Sequence, residues 1–175
     1  MTPQKIVYGS KSWKDFESKL SKLPYKKRGV AFEWFCKFYL MVHPIYQLTY
    51  INILHSSEFV QNKIIMKKLG LENIEEGTDL LGETHDGKYE IIQCKYKDNK
   101  NSNLSYTDID KSIRVATGKE ASKWVDTILM CSNVKGITSN KKLHNRHKLQ
   151  FRTELGGSFE ALSEKDFQNI KRIID

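Results

Sequence analysis

A lone acid in Gly77-Thr78-Asp79 is followed fourteen residues later by Gln93-Cys94-Lys95 at the end of an apolar run. If Tyr89 to Tyr96 is a strand, Gln93 and Lys95 share a face, because strand side chains alternate with period two. A carboxylate, a carboxamide oxygen and an ammonium then converge on one point. Mg²⁺ takes hard oxygen ligands in a near-octahedral shell and keeps several waters. Asp79, the Gln93 carboxamide oxygen and the backbone carbonyl of Cys94 supply such oxygens, with Mn²⁺ as a substitute ion. Lys95 is then placed to orient the attacking water and to offset charge in a phosphoryl transition state. Glu33 sits inside the apolar run Ala31-Phe32-Glu33-Trp34-Phe35-Cys36, where an unpartnered carboxylate is costly. It is expected to add its charge to the metal, directly or through water.

The elements that must position these residues follow from pattern and punctuation. Ser12 with Asp15 three residues on opens a short helix carrying Trp13, Phe16 and Leu20, which stops before Pro24. Lys26 to Val42 reads as a second helix, apolar nearly all round and therefore buried, with His43-Pro44 as its stop. Ile45 to Leu54 reads as a strand and Phe59 to Leu69 as a helix ending at Gly70. Thr78 to Glu83 and Tyr89 to Tyr96 read as a hairpin. Tyr106 to Ala116 is a helix closed by Gly118, and Thr127 to Cys131 a strand. The order αβαββαβ predicts an α/β sandwich around a mixed sheet flanked by helices.

The hairpin loop decides whether the site exists. A two-residue turn at Asp86-Gly87 sets Asp79 opposite Cys94, on the wrong face. A three-residue loop, His85-Asp86-Gly87 with Gly87 in the left-handed region, pairs Thr84 with Lys88 and so Asp79 with Gln93.

At 175 residues the chain fits one domain, and no stretch approaches the length of a membrane span. The expected division is a helical N-terminal segment over 1–25, a core over 26–132 and a basic C-terminal segment with a final helix over 133–175. The N-terminus lacks the apolar core of a secretory signal. Cys36, Cys94 and Cys131 are odd in number and carry no CxxC spacing, which points to a reducing cytoplasm. Cys94 falls on the face opposite the site and reads as a core residue.

Lys and Arg number 29 against 21 Asp and Glu, a net charge of +8 that favours a polyanionic partner, DNA foremost. From Thr127 to Thr153 there is no acid, while Lys135, Lys141, Lys142, Arg146, Lys148 and Arg152 carry positive charge. The expected DNA contacts are Lys26, Lys27 and Arg28 at the mouth of the buried helix, Lys97 and Lys100 in a polar loop over 97–105 read as flexible, and Lys141, Lys142, Arg146 and Lys148. His144 and His147 lack a third ligand with suitable spacing and read as surface residues. No phosphate-binding loop of the GxxxxGK[ST] kind is present.

The runs Gly29-Val30-Ala31-Phe32-Glu33-Trp34-Phe35, Glu76-Gly77-Thr78-Asp79-Leu80-Leu81 and Glu90-Ile91-Ile92-Gln93-Cys94-Lys95-Tyr96 resemble the PD-(D/E)XK nuclease superfamily. Within it they are most similar to the Mrr-like restriction endonuclease branch, over roughly residues 26 to 132. They particularly resemble nuclease domains that stand at the N-termini of large restriction polypeptides, ahead of a helicase-type translocase and a methyltransferase. The resemblance implies a restriction-endonuclease-like fold and Mg²⁺-dependent DNA cleavage, with Asp79, Gln93 and Lys95 as the core site and Glu33 as the helix acid. It also implies a translocase or specificity component as partner, in cis or in trans.

Blander readings stand beside these. Glu33 lies four residues before Lys37, the favourable order for a surface helix pair. Asp79 alone suits a turn or a cap, and Gln93 with Lys95 suits the solvated face of an edge strand, although Ile91 and Ile92 cover both faces of that run. The whole chain then reads as a non-catalytic DNA-binding module that keeps the fold, or as an interaction domain docking through the apolar helix at 31–39.

Overall fold

A computed structural model describes residues 2–71, 78–138 and 149–175. In chain order the first elements are α1 (Pro3–Tyr8), α2 (Trp13–Leu20), α3 (Tyr25–Val42), α4 (Pro44–Thr49), β1 (Tyr50–His55), α5 (Ser56–Phe59) and α6 (Lys63–Leu69). They are followed by β2 (Leu80–Thr84), β3 (Tyr89–Lys95), β4 (Asn103–Leu104), α7 (Tyr106–Ala116) and β5 (Val125–Ser132). The last are β6 (Gly136–Ile137), β7 (Gln150–Glu154), α8 (Gly156–Glu160) and α9 (Glu164–Ile174). Five strands form one mixed sheet in the order β1-β2-β3-β5-β7, antiparallel from β1 to β3 and parallel from β3 to β7. Helices cover both faces. Among the described residues no helix is long and apolar enough to cross a membrane.

The hairpin adopts the register that brings Asp79 to Gln93. Leu80 pairs with Ile92 and Leu81 with Ile91, the Thr84 N–H donates to Lys88 O at 3.0 Å and the Gly87 N–H to Thr84 O at 3.1 Å. Gly87 has φ +78°, a conformation that costs glycine little and a side-chain-bearing residue much more. One step further along the ladder, the Asp79 N–H donates to Ile92 O at 3.1 Å.

One face of the sheet meets α3, whose Phe32, Phe35, Cys36 and Tyr39 pack on Leu80, Ile92, Cys94, Leu129 and Cys131. Trp13 and Phe16 of α2, Phe159 of α8 and Phe167 of α9 close the same aromatic core, so both flanking segments join it. The 31–39 helix is enclosed rather than presented to a partner, since Ala31, Phe32, Phe35, Cys36, Phe38 and Tyr39 are all buried. On the other face, Leu81, Ile91 and Ile128 pack on α6 and the C-terminal end of α7.

Four expectations are corrected. The strand expected over 45–54 begins only at Tyr50, because Pro44 opens a further short helix at its first position, where a missing N–H costs nothing. The helix expected over 59–69 is two: Asn62 accepts from the N–H groups of Ile64 and Ile65 and starts α6 afresh. The polar loop over 97–105 is tied down, with Lys97 N–H on Asn133 Oδ1 at 2.8 Å, Asn133 Nδ2 on Lys97 O at 2.7 Å, and β4 paired with β6. Arg152, counted with the positive charges of the acid-free stretch read as a polyanion footprint, instead donates from β7 to the buried Glu90 of β3 and to Tyr50 Oη.

Candidate active site

Asp79, one residue before β2, meets Gln93 and Lys95 of β3 at one end of the sheet. Asp79 Oδ2 accepts the Cys94 N–H at 2.7 Å and also a hydrogen of the Gln93 amide. Gln93 Oε1 accepts from Ser112 Oγ of α7 at 3.0 Å, and Ser112 is fully buried. The amide therefore presents its nitrogen to Asp79 and its oxygen to Ser112, the reverse of what a metal ligand needs. Ser112 makes that reversal inexpensive, since a hydroxyl both donates and accepts and satisfies the amide in either orientation. Beside a bare carboxylate the N–H₂ is favoured; beside a cation the oxygen is.

Burial, and after it the nearby charge of Glu33, push the Asp79 carboxyl up to about 7, while the Cys94 N–H and the Lys95 ammonium pull against both. A cation beside Asp79 would relieve both influences, since an opposite charge favours the ionised carboxyl. The residues present accordingly fit a hard divalent ion: Asp79, the Gln93 oxygen after the amide turns, the Cys94 carbonyl, and Glu33 directly or through water. Thr78 adds a buried hydroxyl that has no hydrogen-bond partner among the described residues.

Glu33 reaches this place from α3, and it is not paired along its helix with Lys37. Lys37 instead bonds Glu58 at 2.5 and 2.7 Å, while Glu33 Oε2 lies 3.1 Å from His55 Nε2. The Ser57 N–H donates to His55 Nδ1 at 3.2 Å, which makes Nδ1 the acceptor and leaves the ring proton on Nε2, directed at Glu33. His55 is buried and stacks on Trp34 with ring centroids 4.3 Å apart. Its place at the end of β1 gives no sign of this role, because a lone histidine has no spacing to read.

Lys95 keeps its ammonium half-exposed, 3.6 Å from Asp108 Oδ1. Burial alone would raise Asp108, but hydrogen bonds from Lys97 and from Ser105 overcome it and hold this carboxyl below its ordinary range. Asp108 thus caps α7, anchors Lys97 at 2.6 Å and restrains Lys95. Its sequence signal was only half legible. The spacing from Ser105 marks a helix start, while the reach to β3 depends on the crossover.

Of the expected DNA contacts, Lys26 and Lys27 are exposed at the start of α3. Arg28 is engaged with Asp98 at 2.6 Å and with the carbonyls of Leu23 and Ser21. Lys97 is engaged with Asp108, and Lys100 with Glu17 at 2.8 Å. These three make poorer phosphate ligands than their charge suggests. Lys141, Lys142, Arg146 and Lys148 lie outside the described residues, as do His144, His147 and Gly77. No family model matches the chain, and neither the curated proteins nor the solved structures give a match.

Proposed function

We propose that this end of the sheet is the catalytic centre of an Mg²⁺-dependent endonuclease with a restriction-endonuclease-like core, cutting DNA phosphodiester bonds as part of a restriction system. The observation that carries the reading is Asp79, whose carboxyl lies against Gln93 and the Cys94 N–H, under the opposed influence of Glu33 and Lys95. A buried acid strained by a second acid and faced by a lysine suits the binding of a cation and the transfer of charge at a phosphate. Bound there, Mg²⁺ or Mn²⁺ supplies Lewis-acid polarisation of the phosphate. Asp79 and Gln93 hold the ligand oxygens, and the Ser112 hydroxyl fixes the amide once it turns. Lys95, half-exposed on the Gln93 face of β3, meets the attacking water and the non-bridging oxygens. Asp108 limits how far its ammonium wanders. A translocase or specificity partner would supply targeting.

A second reading, a DNA-binding module without catalysis, is favoured by the neutral Gln93 and by its nitrogen resting on Asp79. Supercoiled plasmid incubated with Mg²⁺, Mn²⁺ or EDTA separates the two. Wild type should nick with either ion and not with EDTA. Lys95→Ala should lose about 10²- to 10⁴-fold in rate while keeping much of its DNA affinity, since its contribution belongs to the transition state. Equal nicking by wild type and Lys95→Ala would leave the binding module as the better reading.

A further inference from the structure

The chain's three cysteines are far apart in sequence, and each lies on a different element: Cys36 in α3, Cys94 in β3, Cys131 in β5. Their Sγ atoms nevertheless lie within 4.8 Å of one another, and all three are free and buried. Packing accounts for a cysteine in a core, where it behaves as a small hydrophobe. It does not require every cysteine of the chain to meet at one point. Cys94 and Cys131 are register partners on adjacent strands, but a disulfide there would need an oxidant to reach thiols enclosed by Phe32, Phe35, Leu80, Ile92 and Leu129.

We propose that Cys36, Cys94 and Cys131 form a binding site for a single soft monovalent cation, Cu(I). Sulfur ligands select such ions over the hard cations suited to Asp79. An ion held by three sulfurs at about 2.3 Å in a plane sets those sulfurs about 4 Å apart, a small contraction at most from the spacing present. Among the described residues no fourth histidine, cysteine or carboxylate joins the group, whereas structural zinc takes four ligands. Ligation takes thiolates, so each sulfur that binds the ion gives up its proton to solvent as the ion enters. No oxidation state changes. Cys94, 7 % exposed where its two partners are fully enclosed, marks the side from which the ion enters.

The proposal does not rest on the nuclease reading, although the backbone of Cys94 also holds Asp79, and it is tested apart from it. The whole chain, reduced and free of oxygen, is titrated with Cu(I) presented as its complex with a coloured chelator. One Cu(I) per chain should leave the chelator, the melting temperature should rise because three elements become cross-linked, and X-ray absorption should count three sulfur neighbours. Cys36→Ala, Cys94→Ala and Cys131→Ala, where folded by circular dichroism, should each weaken uptake about tenfold or more, the scale on which even outer-shell partners of a metal act. The proposal is overturned if folded wild type takes no Cu(I) from the chelator, or if bound copper shows fewer than three sulfurs. Those two measurements need only the wild type, so variants that fail to fold leave the test intact.

Discussion

Asp79 is the residue at which charge and stability are linked. Its carboxyl ordinarily titrates near 3.8 and is pushed up to about 7 by burial and then by Glu33. A folded form that holds its proton more tightly than the unfolded chain is favoured at low pH. That contribution is complete below 3.8 and is lost as pH rises through about 7. Metal-free protein should therefore melt at lower temperature at pH 8 than at pH 5, and Asp79→Asn should flatten the fall. A wild-type slope in the variant would mean that Asp79 ionises in the fold as it does in water. His55 invites a second test, because its Nε2–H fixes Glu33. His55→Ala should weaken Mn²⁺ binding, followed by electron paramagnetic resonance, about 10- to 100-fold, as loss of an outer-shell partner does. His55→Gln, which keeps a donor of similar reach, should recover most of it; equal loss in both would show that the ring serves only to pack on Trp34. Asp79, Gln93 and Lys95 were legible in the sequence because strand parity and a three-residue loop fix their faces. His55 and Ser112 were not, and Asp108 only as a helix-start residue, because each acts across a gap that only the assembled layers close.

At the scale of elements, the long periodic segments were the readable ones. The Tyr106–Ala116 helix falls over the span expected ahead of Gly118, and the hairpin follows from Gly87. The strand Gln150–Glu154 escaped notice because its short, polar sequence resembles the basic stretch before it, and its burial comes from neighbours far away in the chain. Its Arg152 joins Glu90 and Tyr50, and Tyr50 lies over Gly82 of β2. A Cβ on Gly82 would stand 2.5 Å from a Tyr50 ring carbon. Gly82→Ala must displace that ring from Glu90, and a loss of roughly 1–3 kcal/mol, the usual cost of overpacking a core, is expected in urea melts. An unchanged midpoint would mean that the ring has room to move and that the ion pair does not depend on it.

Over the whole molecule, the net charge of +8 is less available to a polyanion than the composition suggests. Arg28, Lys97, Lys100 and Arg152 all neutralise carboxylates of the same chain. DNA binding should consequently depend on Lys26, Lys27 and the stretch at 141–148. Reversing Lys26 and Lys27 to Glu should reduce the slope of log affinity against log salt by roughly 0.9 for each phosphate of duplex DNA that is no longer neutralised. Reversing Lys141, Lys142 and Arg146 together should do the same. Arg28→Glu should cost stability more than affinity, read as a lower melting temperature with little change in the salt slope. If both of the lysine-bearing reversals leave that slope alone, the basic charge is a solvated surface rather than a nucleic-acid footprint.

The change from antiparallel to parallel pairing at β3 also bears on the order of assembly. β2 and β3 are joined by a short turn and can zip within microseconds, whereas β5 and β7 reach their places only after long excursions whose chain entropy must be met first. The hairpin is therefore the natural early nucleus, and β7 the late arrival. Pulse-labelling by amide hydrogen exchange during refolding should protect Leu81 and Ile91 before Phe151 and Thr153. Until β7 docks, Glu90 lacks its arginine, so the slowest part of the chain to arrive also carries the charge that completes the interior.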